Sequence, residues 1–416
     1  MDLLRRHIEP LAEELLETAP IVVISGARQV GKSTLASRLA SGHDARVVTL
    51  DSAVDRAAAT ADPDGFVEQH PDGLLVIDEV QRAPGLLVAL KGAVDRNRRP
   101  GRFLITGSAD LLAVHGGQES LAGRAQTVEL DGFSRGEIEG RAEDFASFAW
   151  SLRSRIPQND IDGLGRRDYL EMAVASTFPE LRAASPGVAR RWLANYVTRV
   201  LSKDAAEVSG IQYPDRLRPL FDVLAAENSS EFVAAHASRK LDIPARSVPA
   251  YVRALRDVFL IRQLPTWGHN LAKRAVSKPK ISVGDAGLAA YLTGVDAGGL
   301  EKNISSALAG GMVEAFVTAE LDKQRTWSAV DYRLYHFRDS DGHEVDLIAE
   351  NMRREIIGIE VKATTTLTTK HFDGLRYLRD LAGERFVAGI VLYTGTRALP
   401  FGDRLWALPI GTLWRH

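Results

Sequence analysis

The spacing of apolar residues changes twice along this chain. Between about residues 20 and 130, short apolar runs alternate with helix-length stretches: Ile21 to Ser25, Val47 to Asp51, Leu74 to Asp78, Phe103 to Thr106 and Thr127 to Leu130. Strands apolar on both faces and separated by helices predict a parallel sheet covered on both sides. From about 135 to 210 the strand signal fades, and Gly187 to Ser202 reads as a helix with Trp192, Leu193, Tyr196, Val197 and Val200 on one stripe. The Pro- and Gly-containing stretch Ser151 to Gly165 is the expected flexible boundary. From about 330 the pattern becomes that of hairpins: Tyr332 to Phe337, a turn at Asp341 and Gly342, Glu344 to Ala349, then Ile356 to Val361.

The whole is predicted to be α/β in three domains: a parallel-sheet unit over 1–150, a helical and winged-helix-like unit over 166–278, and a small α/β unit over 279–416. With 416 residues, 45% of them hydrophobic, the chain can bury more than one core. It has no cysteine, which removes disulfides, thiolate metal sites and cysteine nucleophiles and suits a reducing compartment. The first residues carry charges where a signal peptide needs an apolar stretch, and no run of the length needed to cross a membrane occurs. The expectation is a cytoplasmic protein without membrane contact. A net charge of -2 gives no overall pull toward nucleic acid, so such binding would need local asymmetry.

Chemistry concentrates first at Gly26-Ala27-Arg28-Gln29-Val30-Gly31-Lys32-Ser33-Thr34, which fits G-x-x-x-x-G-K-[ST] between an apolar strand and a helix. Two glycines let the backbone curl so that its N–H groups face phosphate oxygens; Lys32 would reach the β- and γ-phosphates, and the Ser33 hydroxyl would ligate Mg²⁺. The helix that follows aims its positive end at the same anion. Leu74-Leu75-Val76-Ile77 then ends in Asp78 and Glu79. Asp78 would hold the Mg²⁺ shell and Glu79 would orient and deprotonate the attacking water, so ATP and Mg²⁺ are the implied cofactors. Thr106 and Ser108, after a third apolar strand, are either phosphate sensors or helix caps. Arg124 is a candidate arginine finger, with a surface arginine as the alternative. A finger supplied in trans would require a neighbouring copy and hence a homo-oligomer.

These segments, with Ile77-Asp78-Glu79-Val80-Gln81-Arg82-Ala83-Pro84, Leu104-Ile105-Thr106-Gly107-Ser108-Ala109 and Glu119-Ser120-Leu121-Ala122-Gly123-Arg124, resemble the AAA-type ATPases of the AAA_14 family. Members usually carry a C-terminal domain called DUF4143. The similarity continues through Pro279-Lys280-Ile281, Asp285-Ala286-Gly287-Leu288, Gly342-His343-Glu344-Val345-Asp346 and Ile359-Glu360-Val361-Lys362, nearly the whole chain. The resemblance implies an ASCE-type P-loop core using ATP and Mg²⁺, and leaves the biological role open.

In the middle, Glu231 to Leu264 shows a short helix, a tight Asp242-Ile243-Pro244 link and a second amphipathic helix, the helix-turn-helix layout. Arg246, Arg253 and Arg256 fall along or near the second helix, and Lys273, Arg274, Lys278 and Lys280 in an expected wing. Residues 187–300 hold 16 Lys and Arg against 10 Asp and Glu, a local excess of +6. DNA is therefore the expected partner, against the alternative of a packing module or lid that binds protein.

The last signal is acidic. Strand alternation puts Asp346 beside Glu360 and Lys362 if their strands are neighbours, and Glu314 lies on a preceding helix. That set resembles the PD-(D/E)xK nuclease core, in which carboxylates hold Mg²⁺ and a lysine helps activate water. Val345 stands where the motif has its proline. A nuclease-like metal site at Glu314, Asp346, Glu360 and Lys362, an inactive nucleic-acid platform, and plain surface charge are the readings available. The leading function is a Mg²⁺-dependent ATPase that couples hydrolysis to DNA binding or processing; the alternative is an NTPase switch of signalling or toxin-antitoxin type whose C-terminal half binds a protein.

Overall fold

The computed structural model describes residues 4–108, 121–153, 163–205, 211, 213–268 and 278–415. Ala109, Glu119, Ser120, Lys273, Arg274 and the centre of the 151–165 stretch lie outside the described residues. Strands β1 (Ile21–Ser25), β2 (Ala45–Thr49), β3 (Leu74–Asp78), β4 (Phe103–Gly107) and β5 (Ala125–Glu129) form an all-parallel sheet in the order β2-β3-β4-β1-β5. Burial explains the order. The central strands β1 and β4 are buried at every position, whereas the edge strands β2 and β5 each bury one residue and expose two. Expected strands at Val47 to Asp51 and Thr127 to Leu130 begin two residues earlier than their apolar runs, because edge strands need apolar residues on one face only. Helices cover both faces, with Leu86, Leu90 and Val94 of helix Leu86–Arg96 packing on one side and Leu35, Ala36 and Leu39 of helix Lys32–Ala40 on the other.

The middle segment begins with helices. Helix Pro186–Arg199 ends three residues before the expected Ser202, and a π-helical turn, Val200–Asp204, continues it. Helix Leu217–Ala226, β6 (Ser230–Glu231), helix Ala234–Leu241, helix Val248–Asp257, β7 (Ile261–Leu264) and β8 (Lys280–Val283) follow, the three strands pairing antiparallel in the order β6-β8-β7. A domain boundary at 278/279 therefore fails. It would cut β8, on which both other strands pair, from its sheet.

The C-terminal sheet runs β13-β14-β12-β11-β10-β9, from β9 (Tyr332–Arg338), β10 (Glu344–Asn351), β11 (Ile356–Lys362), β12 (Phe386–Tyr393), β13 (Leu399–Gly402) and β14 (Leu405–Pro409). β9, β10 and β11 form an antiparallel meander; helix Asp373–Ala382 then crosses over so that β12 runs parallel to β11. That helix seals one face through Leu375 and Leu378, and helix Ala307–Gln324 seals the other. Helix Phe145–Ser151 also joins this module, with Trp150 and Tyr332 rings 6.0 Å apart and the Phe145 N–H donating to Gln324 Oε1 at 2.9 Å. The first domain thus ends before Phe145 rather than at 150. A half-buried junction ties the three units: Arg262 on β7 pairs with both Asp131, just after β5, and Asp322 on helix Ala307–Gln324.

Candidate nucleotide site and acidic cleft

All five strands of the first sheet point the same way, so the segments leaving β1, β3 and β4 converge at one edge. The loop from Gly26 to Gly31 leaves β1 there. Gly26 has φ 148°, and a Cβ on it would lie 2.1 Å from the Leu130 carbonyl oxygen, so no other residue fits without moving the chain. Gln29 and Gly31 also take positive φ, 66° and 100°, completing the curl that starts helix Lys32–Ala40. Arg6, from the segment before the first helix, braces the loop from behind. Its guanidinium donates to the Val30 carbonyl at 3.0 Å and the Asp131 carbonyl at 2.6 Å, and pairs with Glu137 at 3.0 Å.

Lys32 is 5% exposed and donates to the carbonyls of Gly26 at 3.0 Å and Ala27 at 2.8 Å. Burial lowers its ammonium to about 8, against the pull of Glu79. Neutral carbonyls satisfy its protons but not its charge. Ser33 donates its hydroxyl to Asp78 Oδ1 at 2.8 Å, Thr106 donates to the same oxygen at 2.5 Å, and Thr49 to Oδ2 at 3.4 Å. A hydroxyl and a carboxylate held together in this way are the hard-oxygen pair that Mg²⁺ takes alongside nucleotide phosphates, so these residues fit the ion.

Glu79 occupies the left-handed region at φ 60°, a conformation that costs on the order of 1 kcal/mol and persists where neighbours fix it. Two neighbours do so. The Glu79 N–H donates to Thr106 Oγ1 at 3.1 Å, and the Gln81 amide donates to the Glu79 carboxylate and, at 3.1 Å, to Ser108 Oγ. Thr106 and Ser108 thus position the two acids, and neither caps a helix among the described residues. Thr49, Gln81 and Arg6 were not legible as site residues.

Arg124 lies elsewhere. It precedes β5, and its carbonyl accepts from the Ile21 N–H at the start of β1, so it sits one strand length, about 16 Å, from the end that carries the loop. Its guanidinium holds Asp95 at 2.7 and 2.9 Å. It does not reach this chain's own phosphate loop.

The acidic residues of the C-terminal unit do come together. A β-bulge between Val345 and Ile348 turns Asp346 toward β11, where its Oδ2 accepts from the Val361 N–H at 2.9 Å. Lys362 contacts Glu360 at 2.6 Å and Asp346 at 3.5 Å. Glu314 reaches the same place from helix Ala307–Gln324. A cleft of about 520 Å³ opens beside them, lined also by Arg166 and His371.

Lys280 changes the chemistry of this cluster. Expected in a solvated wing, it is 4% exposed, and its ammonium lies 2.7 Å from Glu314, 3.1 Å from Glu344 and 3.5 Å from Asp346. Burial and the Asp346 charge push Glu314 up to about 8, and the same two causes raise Glu360 well above the ordinary range. Burial also pushes Asp346 up, but Lys362, Lys280 and the Val361 N–H together bring it below its usual value. Glu314, held up at about 8, therefore offers a cation less negative charge than an ordinary carboxylate does. Among the described residues no three His, Asp or Glu side chains are placed to hold a metal ion. The residues expected as a metal site, Glu314, Asp346, Glu360 and Lys362, thus share their cleft with a second lysine, Lys280 of β8, whose ammonium pairs with Glu314 and Asp346.

Comparison with known proteins agrees with this layout. Residues 18–139 match the AAA domain family AAA_14, residues 309–413 the domain of unknown function DUF4143, and residues 166–298 the domain of unknown function DUF8612. Uncharacterized proteins of Mycobacterium bovis (Mb2031c) and Mycobacterium tuberculosis (Rv2008c) are each 32% identical over 410 residues, covering 97% of this chain and 83% of theirs. The chain belongs to the AAA_14 family. Its nucleotide unit is that of a P-loop ATPase of the AAA type, followed in the same chain by DUF4143. Among solved structures, the Walker-type ATPase PABY2304 of Pyrococcus abyssi is similar at TM-score 0.42 and 16% identity, covering 70% of this AAA_14 chain and 96% of that one. AMPPCP-bound DnaA from Aquifex aeolicus is similar at TM-score 0.28 and 12% identity, covering 60% and 85%. No helix among the described residues of the AAA_14 protein is long and apolar enough to cross a membrane.

Proposed function

We propose that this ATPase couples ATP hydrolysis to DNA binding, with the middle unit as the reader and the acidic cleft as a platform rather than a nuclease. The observation that carries the reading is the second helix of the middle unit. Val248, Tyr251, Val252 and Leu255 bury one side of it, while Arg253 on the helix and Arg246 on the turn before it are exposed and make no ion pair among the described residues. Arg239 on the preceding helix is exposed as well. Helix, strand, helix, helix, strand, strand is the winged-helix order, in which the second helix of the pair enters a groove of duplex DNA. Free guanidinium groups there suit phosphate contact.

In the nucleotide site, Lys32 exchanges two neutral carbonyls for phosphate oxygens, which restores the charge balance that burial disturbs. Bound Mg²⁺ would supply charge neutralisation at the β- and γ-oxygens, held by Ser33 and Asp78. Glu79, fixed by Thr106 and Gln81, takes the proton of the attacking water.

ATP turnover measured with and without single-stranded, duplex and branched DNA tests the coupling. Stimulation, with binding that weakens steeply as salt rises and is lost in an Arg246→Glu, Arg253→Glu protein, is the expected result. Binding indifferent to salt, with no stimulation by any DNA, would instead favour a switch whose C-terminal half contacts a protein.

A further inference from the structure

The nucleotide loop contains a second cation that no motif assigns. We infer that Arg28 is the arginine that meets the γ-phosphate, supplied from within the loop itself, and that Asp204 holds it back until nucleotide arrives. The inference rests on the P-loop ATPase assignment and adds to it a catalytic residue and a coupling partner.

Negative charge on the transferring phosphoryl group is best met by a fixed guanidinium. Arg124 lies at the wrong end of the sheet to provide one in cis. Arg28 lies between Gly26 and Gly31, in the loop that wraps the phosphates, and needs no neighbouring copy. Its fork is occupied: Nε donates to one Asp204 oxygen at 2.8 Å and Nη2 to the other at 3.0 Å. That bidentate grip is the geometry a phosphate would offer in its place. Charge contacts put the pair inside the site, since Glu79 and Asp51 act on Arg28, while Arg28, Asp204, Asp78 and Glu79 all act on Lys32.

Asp204 is 8% exposed and ends the π-helical turn Val200–Asp204, close in sequence to the first helix of the winged-helix unit, Leu217–Ala226. Single π-turns inside α-helices are frequent at functional sites. When Arg28 swings to the phosphate, Asp204 is left buried without its partner, and the turn that carries it must move. The nucleotide state is thereby passed to the segment that leads into the DNA-reading unit.

The test uses the full chain, ATP turnover, and the affinities of fluorescent ATP and ADP analogues. Arg28→Ala should lower kcat by about 100-fold or more, while ADP affinity changes less than about threefold. Asp204→Asn frees the guanidinium and should raise ATP affinity relative to ADP several-fold, a ratio that a merely structural residue would not move. Retained kcat in Arg28→Ala, or equal losses of ATP and ADP affinity, would overturn the inference. Should Arg28→Ala fail to fold, Arg28→Lys decides: a loss of about tenfold or more in kcat with ADP affinity kept supports it, and unchanged kcat overturns it. Lys32→Ala separates the two levels, because turnover that survives there sinks the P-loop assignment, whereas a dead Lys32→Ala beside an active Arg28→Ala sinks only this inference.

Discussion

Lys32 and Lys280 are 5% and 4% exposed, and the protein holds them in opposite ways. Lys32 rests on two backbone carbonyls, and burial lowers its ammonium to about 8. Lys280 lies among three acidic side chains, and although burial works against its charge, Glu314 and Asp346 raise it above its ordinary range. An arriving phosphate improves the surroundings of the first and has nothing to offer the second. A buried cation held by neutral groups is ready for a ligand, whereas one held by carboxylates is already part of the fold. The two clusters look alike as sets of charged residues, but the surroundings of the first suit an incoming anion and those of the second suit a joint between modules.

The largest effect that would break this contrast is at Glu79. Glu79→Gln should leave nucleotide affinity intact and reduce ATP turnover about 100- to 10,000-fold, because only the proton acceptor is lost. A phosphate-release assay with a binding titration checks both halves. Turnover that persists would move the base elsewhere and leave Lys32 without its catalytic companion.

Next is Lys280→Met. Removing one member of a buried ionic group leaves the rest uncompensated, and a destabilisation of about 3–5 kcal/mol is expected in urea unfolding. Lys32→Met, by contrast, should cost little stability in that assay, since no carboxylate depends on Lys32 as Asp346 does on Lys280. Equal effects of the two substitutions would erase the distinction between site and joint.

The first site was legible because it is local. Gly26 to Thr34 are consecutive, and Asp78 and Glu79 end a strand whose apolar run announces them. Arg124 could have been discounted as a finger for its own chain on the same grounds: a residue just before a strand sits at its amino end, and the loop leaves from a carboxyl end. Asp346, Glu360 and Lys362 were found by strand alternation and Glu314 by the resemblance to a nuclease core, yet the pairing of Glu314 and Asp346 with Lys280 was not. The sequence placed Lys280 both in a wing and in the 279–416 unit without saying which acids it meets, and the bulge at Asp346 leaves no mark on the apolar pattern. Arg28 and Asp204 are separated by 176 positions, so only the folded chain brings them together.

The smallest effect concerns pH. Glu314 is raised to about 8 in the folded protein, above its ordinary value of 4.5, so the folded state binds its proton more tightly than the unfolded chain does. Its contribution to stability is complete below about pH 4.5 and is lost as pH rises through about 8. Glu314→Gln keeps the shape without the titration and should flatten that decline, by about 1–2 kcal/mol between pH 7 and 9. Urea midpoints of the two proteins across this range measure it. If the decline survives in Glu314→Gln, some other group titrates, and the raised Glu314 does not govern the joint. If it disappears, the joint is held by hydrogen bonds to a protonated acid as much as by ion pairs.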